Sequence, residues 1–284
     1  KMVGIAIDEY SLNKVPQRWP WKRGVYGQIL KILDKEKVNT IGVDFAFVGA
    51  SEQKEEDRLL TDALHSISSR VVLAYFFDVR QGVPVLPFEQ FQAGAFSSGM
   101  LNTPADEDNK VRRLRGFIEA EGTTHYSFTV ALAASFLHQK ADTVVSGLPL
   151  LKDKTFRINY LVKPEDIVRV SFYEVLENLS ALKKQHGEDF LKDALVLIYP
   201  EAQILHDIHQ TPLGEMPGGL LHFNGVLNIV SKRLMKENNI LFYFMLLLSC
   251  VFIFFILRFS GFIAGFLFVL GELVIIFWCI VLLS

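Results

Sequence analysis

Two aspartates end short apolar runs that are typical of buried strands. Asp8 directly follows the first of these runs, and Asp44 lies near the carboxyl end of the second. Open α/β sheets bind ligands in the crevice at the carboxyl ends of their strands, so Asp8 and Asp44 are predicted ligand or ion contacts. In the alternative interpretation each carboxylate is structural, and it either caps a helix or pairs with Arg18 or Arg23 to hold a loop.

A second polar group, formed by Asp207, His209 and Thr211, lies near the end of the polar part of the chain. Aspartate and histidine are ligands of first-row metals and form general acid/base pairs. No second cluster of His or Cys accompanies them, so we predict no metal site and count the three residues as ligand contacts. The alternative is a hydrogen-bond network that fixes a loop stiffened by Pro212 and Pro217.

Two tryptophans, Trp19 and Trp21, flank a proline early in the chain. An indole ring combines a large apolar area with one N–H donor, so this pair is suited to an aromatic shelf for a ligand. The alternative is a plug that packs beneath the first helix. Arg18 and Trp21 complete the set of predicted ligand contacts.

The sequence carries no motif of a common catalytic centre. A Gly-rich phosphate loop, a nucleophile elbow, HExxH and a paired cysteine motif are all absent, which argues against an enzyme. We therefore predict no catalytic residue and no cofactor. Lys and Arg total 29, and Asp and Glu total 31. No basic block with interleaved aromatics lies outside the region that flanks the apolar carboxyl-terminal part of the chain, so nucleic acid is not a predicted partner.

The elements that must position these residues follow the pattern of βαβ units. Short apolar runs alternate with longer amphipathic ones, which predicts an α/β fold with a mainly parallel sheet flanked by helices. The predicted strands are residues 3–7, 40–47 and 71–77. The predicted helices between them are residues 25–36 and 55–67.

The carboxyl-terminal part of the chain is strongly apolar. Residues 240–257 contain no charged side chain, and residues 259–284 contain only Glu272. As a helix, each run is long enough to cross a hydrocarbon core about 30 Å thick. We predict a transmembrane helical hairpin over residues 237–284, in contact with membrane lipid, after a water-soluble domain over residues 1–236. Two buried helices of a soluble protein are the alternative.

Small residues in the second apolar run predict association within the membrane. Gly261 and Gly265 are four residues apart, a spacing that lets two helices approach closely. Glu272 is ionisable, and its insertion into lipid is unfavourable unless it faces a partner. We predict that these three residues pack in a homo-oligomer or against another membrane subunit. The alternative is that glycines are merely common in such helices and that Glu272 snorkels or stays protonated.

Four stretches, which span almost all of residues 3–235, form a pattern that is more specific than any one of them. They are Ala6–Glu9 with Arg18–Arg23, Ile41–Phe47 with Asp57–Leu60, Asp106–Arg115, and Asp207–Pro212 with Pro217–His222. Together they resemble the type-2 CHASE domain, an extracellular sensory module associated with cyclases and histidine kinases. Asn109 and Lys110 depart from the family pattern, because small residues are usual there.

The resemblance implies a sensory domain between one amino-terminal membrane helix and often three carboxyl-terminal ones, with a cytoplasmic kinase or cyclase beyond them. This sequence has no amino-terminal helix and two carboxyl-terminal ones, so we expect either a fragment or an output on another subunit. We predict a receptor module that detects an unknown extracytoplasmic ligand and passes the signal through its membrane helices. The alternative is a non-catalytic structural or assembly subunit of a larger membrane complex.

Charges beside the first apolar run bear on its orientation. Lys232, Arg233 and Lys236 lie on the domain side, whereas only Arg258 lies in the predicted turn. By the positive-inside rule alone, these charges weakly favour a cytoplasmic domain. The family resemblance implies the opposite orientation, and we follow it. The prediction is a multi-pass protein of the inner (plasma) membrane with its soluble domain outside the cytoplasm.

Overall fold

A computed structural model of the chain describes residues 1–163, 166–236 and 239–259, together with residues 271 and 273. The chain divides into two compact units, Lys1–Met235 and Lys236–Ser284.

The first unit contains the strands and all but the last of the described helices. The strands are β1 (Met2–Ile7), β2 (Thr40–Val43), β3 (Arg70–Asp78), β4 (Val83–Val85), β5 (Ser97–Met100), β6 (Arg113–Arg115), β7 (Phe117–Ala120), β8 (Thr123–Tyr126), β9 (Thr155–Arg157), β10 (Arg169–Ser171), β11 (Leu195–Pro200), β12 (Ile208–Thr211) and β13 (Gly214–Pro217). The helices are α1 (Glu9–Lys14), α2 (Arg23–Lys35), α3 (Lys54–Ser66), α4 (Glu89–Gly94), α5 (Phe128–Phe136), α6 (Ala141–Ser146), α7 (Phe172–Glu177), α8 (Leu179–His186) and α9 (Gly218–Ser231).

A seven-stranded sheet in the order β10-β1-β11-β2-β3-β4, with β5 also paired to β3, forms the centre of this unit. Every pair is parallel except β3 with β4. Late in the chain, β11 inserts between β1 and β2 and pairs with both of them. The predicted α/β class with a mainly parallel sheet is therefore confirmed.

Helices cover both faces of the sheet, as the continuous apolar runs of its strands require. Side chains alternate along β11, so that Val196 and Ile198 join the core beneath α2 and α3. Leu195, Leu197 and Tyr199 of the same strand join the opposite core beneath α5 and α9. Each face thus carries its own apolar layer, and the sheet is buried between them.

The first predicted elements agree with the structure, with one correction at the carboxyl end of a strand. The predicted helices 25–36 and 55–67 correspond to α2 and α3. The predicted strand 40–47 is too long, because β2 ends at Val43 and its pairing with β3 and β11 ends there too. Residues 44–48 instead form a loop at the carboxyl edge of the sheet.

The second unit contains helix α10 (Asn239–Phe259). Side chains of α10 are described from Tyr243 to Phe255 and at Arg258. Over the residues that the structure describes, no helix has both the length and the apolar character of a membrane span. Most of the predicted second helix, residues 259–284, lies outside the described residues, so the hairpin stays a prediction.

Candidate functional site

The carboxyl ends of the parallel strands lie at one edge of the sheet, because β1, β11 and β2 run side by side in the same direction. Asp8 follows β1, and Asp44 follows β2. Each was predicted from the sequence as a ligand contact, and the structure places each in different surroundings.

Asp8 is the N-cap of helix α1. Its Oδ1 accepts hydrogen bonds from Ser11 N at 2.8 Å, Ser11 Oγ at 2.6 Å and Ser171 Oγ at 2.9 Å. Ser171 is itself the N-cap of α7, so one carboxylate oxygen ties two helix starts together. This geometry is the structural alternative considered for Asp8 in the sequence. A ligand contact at Asp8 stays a prediction.

Asp44 is 5% exposed and lacks the structural partners considered for it. Its Oδ2 has no hydrogen-bond partner among the described residues. Arg23 pairs instead with Asp57 at 2.6 Å. Burial, and next the negative charge of Asp207, raises the pKa of Asp44 well above its ordinary value. Asp44 is thus a buried carboxyl group that favours its protonated form.

The negative charge of Asp207 acts on this carboxyl, although Asp207 follows Asp44 by more than 160 residues in the chain. His209 Nε2 lies 3.2 Å from Asp207 Oδ1. The Asp207 carboxylate packs against the first residue of α9 so closely that a Cβ added to Gly218 would lie 2.5 Å from Asp207 Oδ1. A glycine at this position is therefore what allows the carboxylate and the helix to meet.

Thr211, the third member of the predicted group, is separate from that pair. It is buried, and its Oγ1 donates to Gly214 O at 2.7 Å and accepts from Leu213 N at 3.1 Å. Both bonds close the turn between β12 and β13, which is the loop-fixing alternative for this residue. A ligand contact at Thr211 stays a prediction.

His222 is a member of the polar cluster that the sequence did not identify as a candidate. It lies on α9, and its Nδ1 is 2.8 Å from Thr129 Oγ1 on α5. Burial, with a further contribution from His209, lowers the pKa of His222 to about 3, so the ring is neutral. The sequence feature that could have identified His222 is its position as a polar residue within an apolar helical run. Among the described residues, no group of three or more His, Cys, Asp and Glu side chains is arranged to hold a metal ion.

An aromatic cavity of about 570 Å³ opens at the same edge of the sheet. Trp21 lines it together with Tyr26, Phe45 and Phe47. The Trp21 ring lies 4.9 Å from that of Phe172, and the Tyr26 ring lies 4.9 Å from that of Phe45. Trp21 thus packs against α7 and also forms a wall of the cavity. A ligand contact at Trp21 stays a prediction.

Charged side chains surround the mouth of this cavity. Lys22 Nζ lies 3.9 Å from Glu56 Oε1, and Glu56 Oε2 accepts from Gly24 N at 3.0 Å. Arg23 also lines the cavity, and its guanidinium is paired with Asp57. Arg18, predicted as a ligand contact, is exposed and does not line the cavity.

The structure therefore assembles two groups at the carboxyl edge. The first is the polar cluster, defined as Asp44, Asp207, His209 and His222. Asp44, Asp207 and His209 were predicted as ligand contacts, and His222 was not. The second is the aromatic cavity, which contains both tryptophans of the predicted shelf, Trp19 and Trp21, and three aromatic residues that the sequence did not identify, Tyr26, Phe45 and Phe47. Asp8, Arg18 and Thr211 belong to neither group.

Comparison with known proteins identifies one family. The CHASE2 domain is the family whose sequence model matches, and the match runs over residues 2–262. No curated protein and no solved structure matches the chain. Because the match extends over most of the chain, the resemblance recognised in the four sequence stretches is confirmed.

We expect Asp44→Asn to stabilise the protein at neutral and alkaline pH. Because the pKa of Asp44 is raised on folding, the folded state holds a proton that the unfolded chain loses near pH 4. The free energy of unfolding contributed by Asp44 therefore falls as the pH rises above that point. Asn cannot ionise, so urea unfolding of the full chain should show a higher midpoint for Asp44→Asn than for the parent at pH 8, and a shrinking difference toward pH 4.

Asp57→Asn is the matched control with the opposite sign. Burial opposes ionisation of Asp57, but hydrogen bonds from Ser51 and Arg23 outweigh it and lower the pKa of this carboxyl. Asp57→Asn should therefore destabilise the protein at pH 8, and its effect should shrink in acid. If Asp44→Asn lowers the midpoint at pH 8 as Asp57→Asn does, Asp44 is ionised and paired. This result would contradict the observation that Asp44 Oδ2 is buried without a partner among the described residues.

Proposed function

The chain belongs to the CHASE2 domain family, and from that premise we propose that it is the sensory part of a membrane-bound receptor. In this proposal the α/β unit lies outside the cytoplasm and binds a small ligand. The carboxyl-terminal unit attaches it to the membrane and passes the signal toward a cytoplasmic output.

The observation that carries this proposal is the aromatic cavity at the carboxyl edge of the sheet. Ligand pockets of proteins are mostly apolar clefts of about 300 to 1,000 Å³ with a few polar groups. The cavity has a volume of about 570 Å³ and lies where open α/β sheets bind ligands. A sensor needs such a site, whereas a subunit that only docks needs none.

Membrane attachment is supported by the side chains of α10. Tyr243, Leu247 and Phe254 are each more than 60% exposed. Residues 240–257 carry no charge in the sequence, and a contiguous exposed apolar surface of this kind marks a protein or membrane contact. We propose that residues 240–257 and 259–284 cross the membrane as two helices in contact with lipid.

Helix α9 is the element suited to carry a signal toward this segment. It begins against the polar cluster, where Gly218 contacts Asp207, and it ends at Ser231, with seven residues of chain between it and the first residue of α10. A ligand that favours one position of α9 over another shifts the population of that position. The competing function, a structural subunit of a membrane complex, requires no such shift.

Cysteine labelling tests the orientation. In a background with Cys250→Ser and Cys279→Ser, Glu55→Cys places a thiol on the exposed surface of α3, and Ser260→Cys places one at the predicted turn, residues 258–260. In intact cells a membrane-impermeant maleimide should label Glu55→Cys and spare Ser260→Cys until the membrane is opened. Labelling of Ser260→Cys alone in intact cells would place the domain in the cytoplasm.

The proposed relay predicts a response to filling the cavity. Ala46→Trp adds an indole to the cavity wall, whereas Ala50→Trp adds the same group outside it. With a nitroxide attached after Lys236→Cys, in the same cysteine-free background and in lipid vesicles, Ala46→Trp should change the mobility of the spin label. Ala50→Trp should not. Equal spectra for folded Ala46→Trp and the parent would favour the structural subunit.

We also propose that the protein associates in the membrane, as a homo-oligomer or with another subunit, through Gly261, Gly265 and Glu272. Gly261, Gly265 and Glu272 lie outside the described residues, and the support is their sequence spacing and the cost of an unpaired glutamate in lipid. Native mass measurement in detergent should find the parent associated. Gly265→Leu or Glu272→Leu should lower the association constant about tenfold, the equivalent of ~1.4 kcal/mol. A monomeric parent would contradict the proposal.

A further inference from the structure

One buried polar group in the wall of the aromatic cavity lacks a partner among the described residues. Trp21 and Tyr26 are each 4% exposed, and both line the cavity. Trp21 Nε1 has no hydrogen-bond partner in the described part of the chain. The Tyr26 side chain lines the same cavity, and burial raises the pKa of its hydroxyl, which therefore stays protonated as a donor. Buried donors are ordinarily paired, because an unpaired one keeps its full desolvation cost. A ligand with an acceptor atom would supply the partner that the Trp21 N–H lacks, and the Tyr26 hydroxyl could donate to the same ligand.

The other walls select for a planar partner. The ring of Tyr26 lies 4.9 Å from that of Phe45 and 5.1 Å from that of Phe47, and Trp19 stands edge-on to Trp21 at 5.2 Å. Trp19 is 37% exposed and is the most exposed of the aromatic rings that line the cavity. Aromatic faces and edges interact favourably with another ring in offset or edge-on geometry. The lining therefore suits a flat aromatic molecule.

The charges around the cavity argue against an ionic ligand. Arg23 and Asp57 form a close pair whose side chains are 13% and 5% exposed, so both charges are already compensated. Glu56 accepts from Gly24 N and lies beside Lys22. An added anion would face Glu56, and an added cation would face Arg23. Moving a charged ligand into this site without a free counter-charge is unfavourable.

We infer that the cavity binds an uncharged, planar aromatic molecule of two or three fused rings that carries a hydrogen-bond acceptor such as a ring carbonyl. The inference rests on the proposed function, because it treats this cavity as the sensor's ligand site. Tyr26 donates to the acceptor, Trp21 offers a second donor and an aromatic wall, and Phe45 and Phe47 hold the ring plane.

Calorimetric titration of the full chain in lipid nanodiscs tests the ligand class with four probes of similar size. 2-Quinolone is neutral and has a carbonyl acceptor, indole has a donor but no carbonyl, 2-naphthoate is an anion, and trimethyl-1-naphthylammonium is a cation. 2-Quinolone should bind at least tenfold more tightly than each of the other three. A tighter complex with either ion, or no binding of 2-quinolone at millimolar concentration, would overturn the inference.

Variants assign the binding to this cavity. Tyr26→Phe removes the donor and keeps the ring, so it should weaken 2-quinolone binding about five- to tenfold. Tyr10→Phe makes the same change on an exposed tyrosine that does not line the cavity, and it should bind like the parent. Ala46→Trp should abolish binding by filling the space. Equal affinity for Tyr26→Phe and the parent would contradict the assigned contact.

A last measurement separates this inference from the proposed function. The spin label at Lys236→Cys is recorded with and without saturating 2-quinolone. Binding of 2-quinolone with a changed spectrum supports both the ligand class and the relay. Binding without a change in the spectrum supports the ligand class and contradicts the relay. If 2-quinolone does not bind but Ala46→Trp changes the spectrum, the relay stands and the ligand class is wrong.

Discussion

The pairing of β11 with both β1 and β2 is the constraint on which the rest of this structure depends. Every residue of β11 from Leu195 to Tyr199 is buried, so the strand contributes to the core on both faces of the sheet. It also separates β1 from β2 by one strand, which places their ends roughly 10 Å apart at strand spacing. Asp8 caps α1, whereas Asp44 is influenced by Asp207, which follows β11 in the chain.

Close packing of α9 on this strand assembles the polar cluster. A Cβ added to Gly219 would lie 2.3 Å from Cβ of Tyr199, so only glycine permits the approach. Farther along, Asn224 and Asn228 pair with backbone groups of residues 159–162, and His222 meets Thr129. The helix is thus held by directional contacts along its length. A change at its first turn has little room to be absorbed locally, because interiors are densely packed.

The buried polar groups of the molecule divide into paired and unpaired sets with different consequences. The asparagines of α9 are fully bonded and stabilise one arrangement of the helix. Asp44 and Trp21, both at the carboxyl edge of the sheet, include atoms without partners in the described part of the chain. Unpaired groups reduce stability, and natural proteins tolerate them chiefly where function requires them. Thr61, Arg112 and Arg115 also include buried atoms without partners in the described part of the chain, so unpaired atoms occur at other places in the fold as well.

The sequence by itself determined the local elements and the family. Apolar runs and helical spacing predicted the parallel sheet and helices α2 and α3, because these patterns depend on neighbours a few residues away. It also placed Asp8 and Asp44 at strand ends. Only the tertiary structure decided that β2 stops at Val43, since a strand ends where its partners end. It alone brought Asp207 to Asp44, because strand order is set by pairing between distant segments, and a local pattern carries no record of which strands become neighbours.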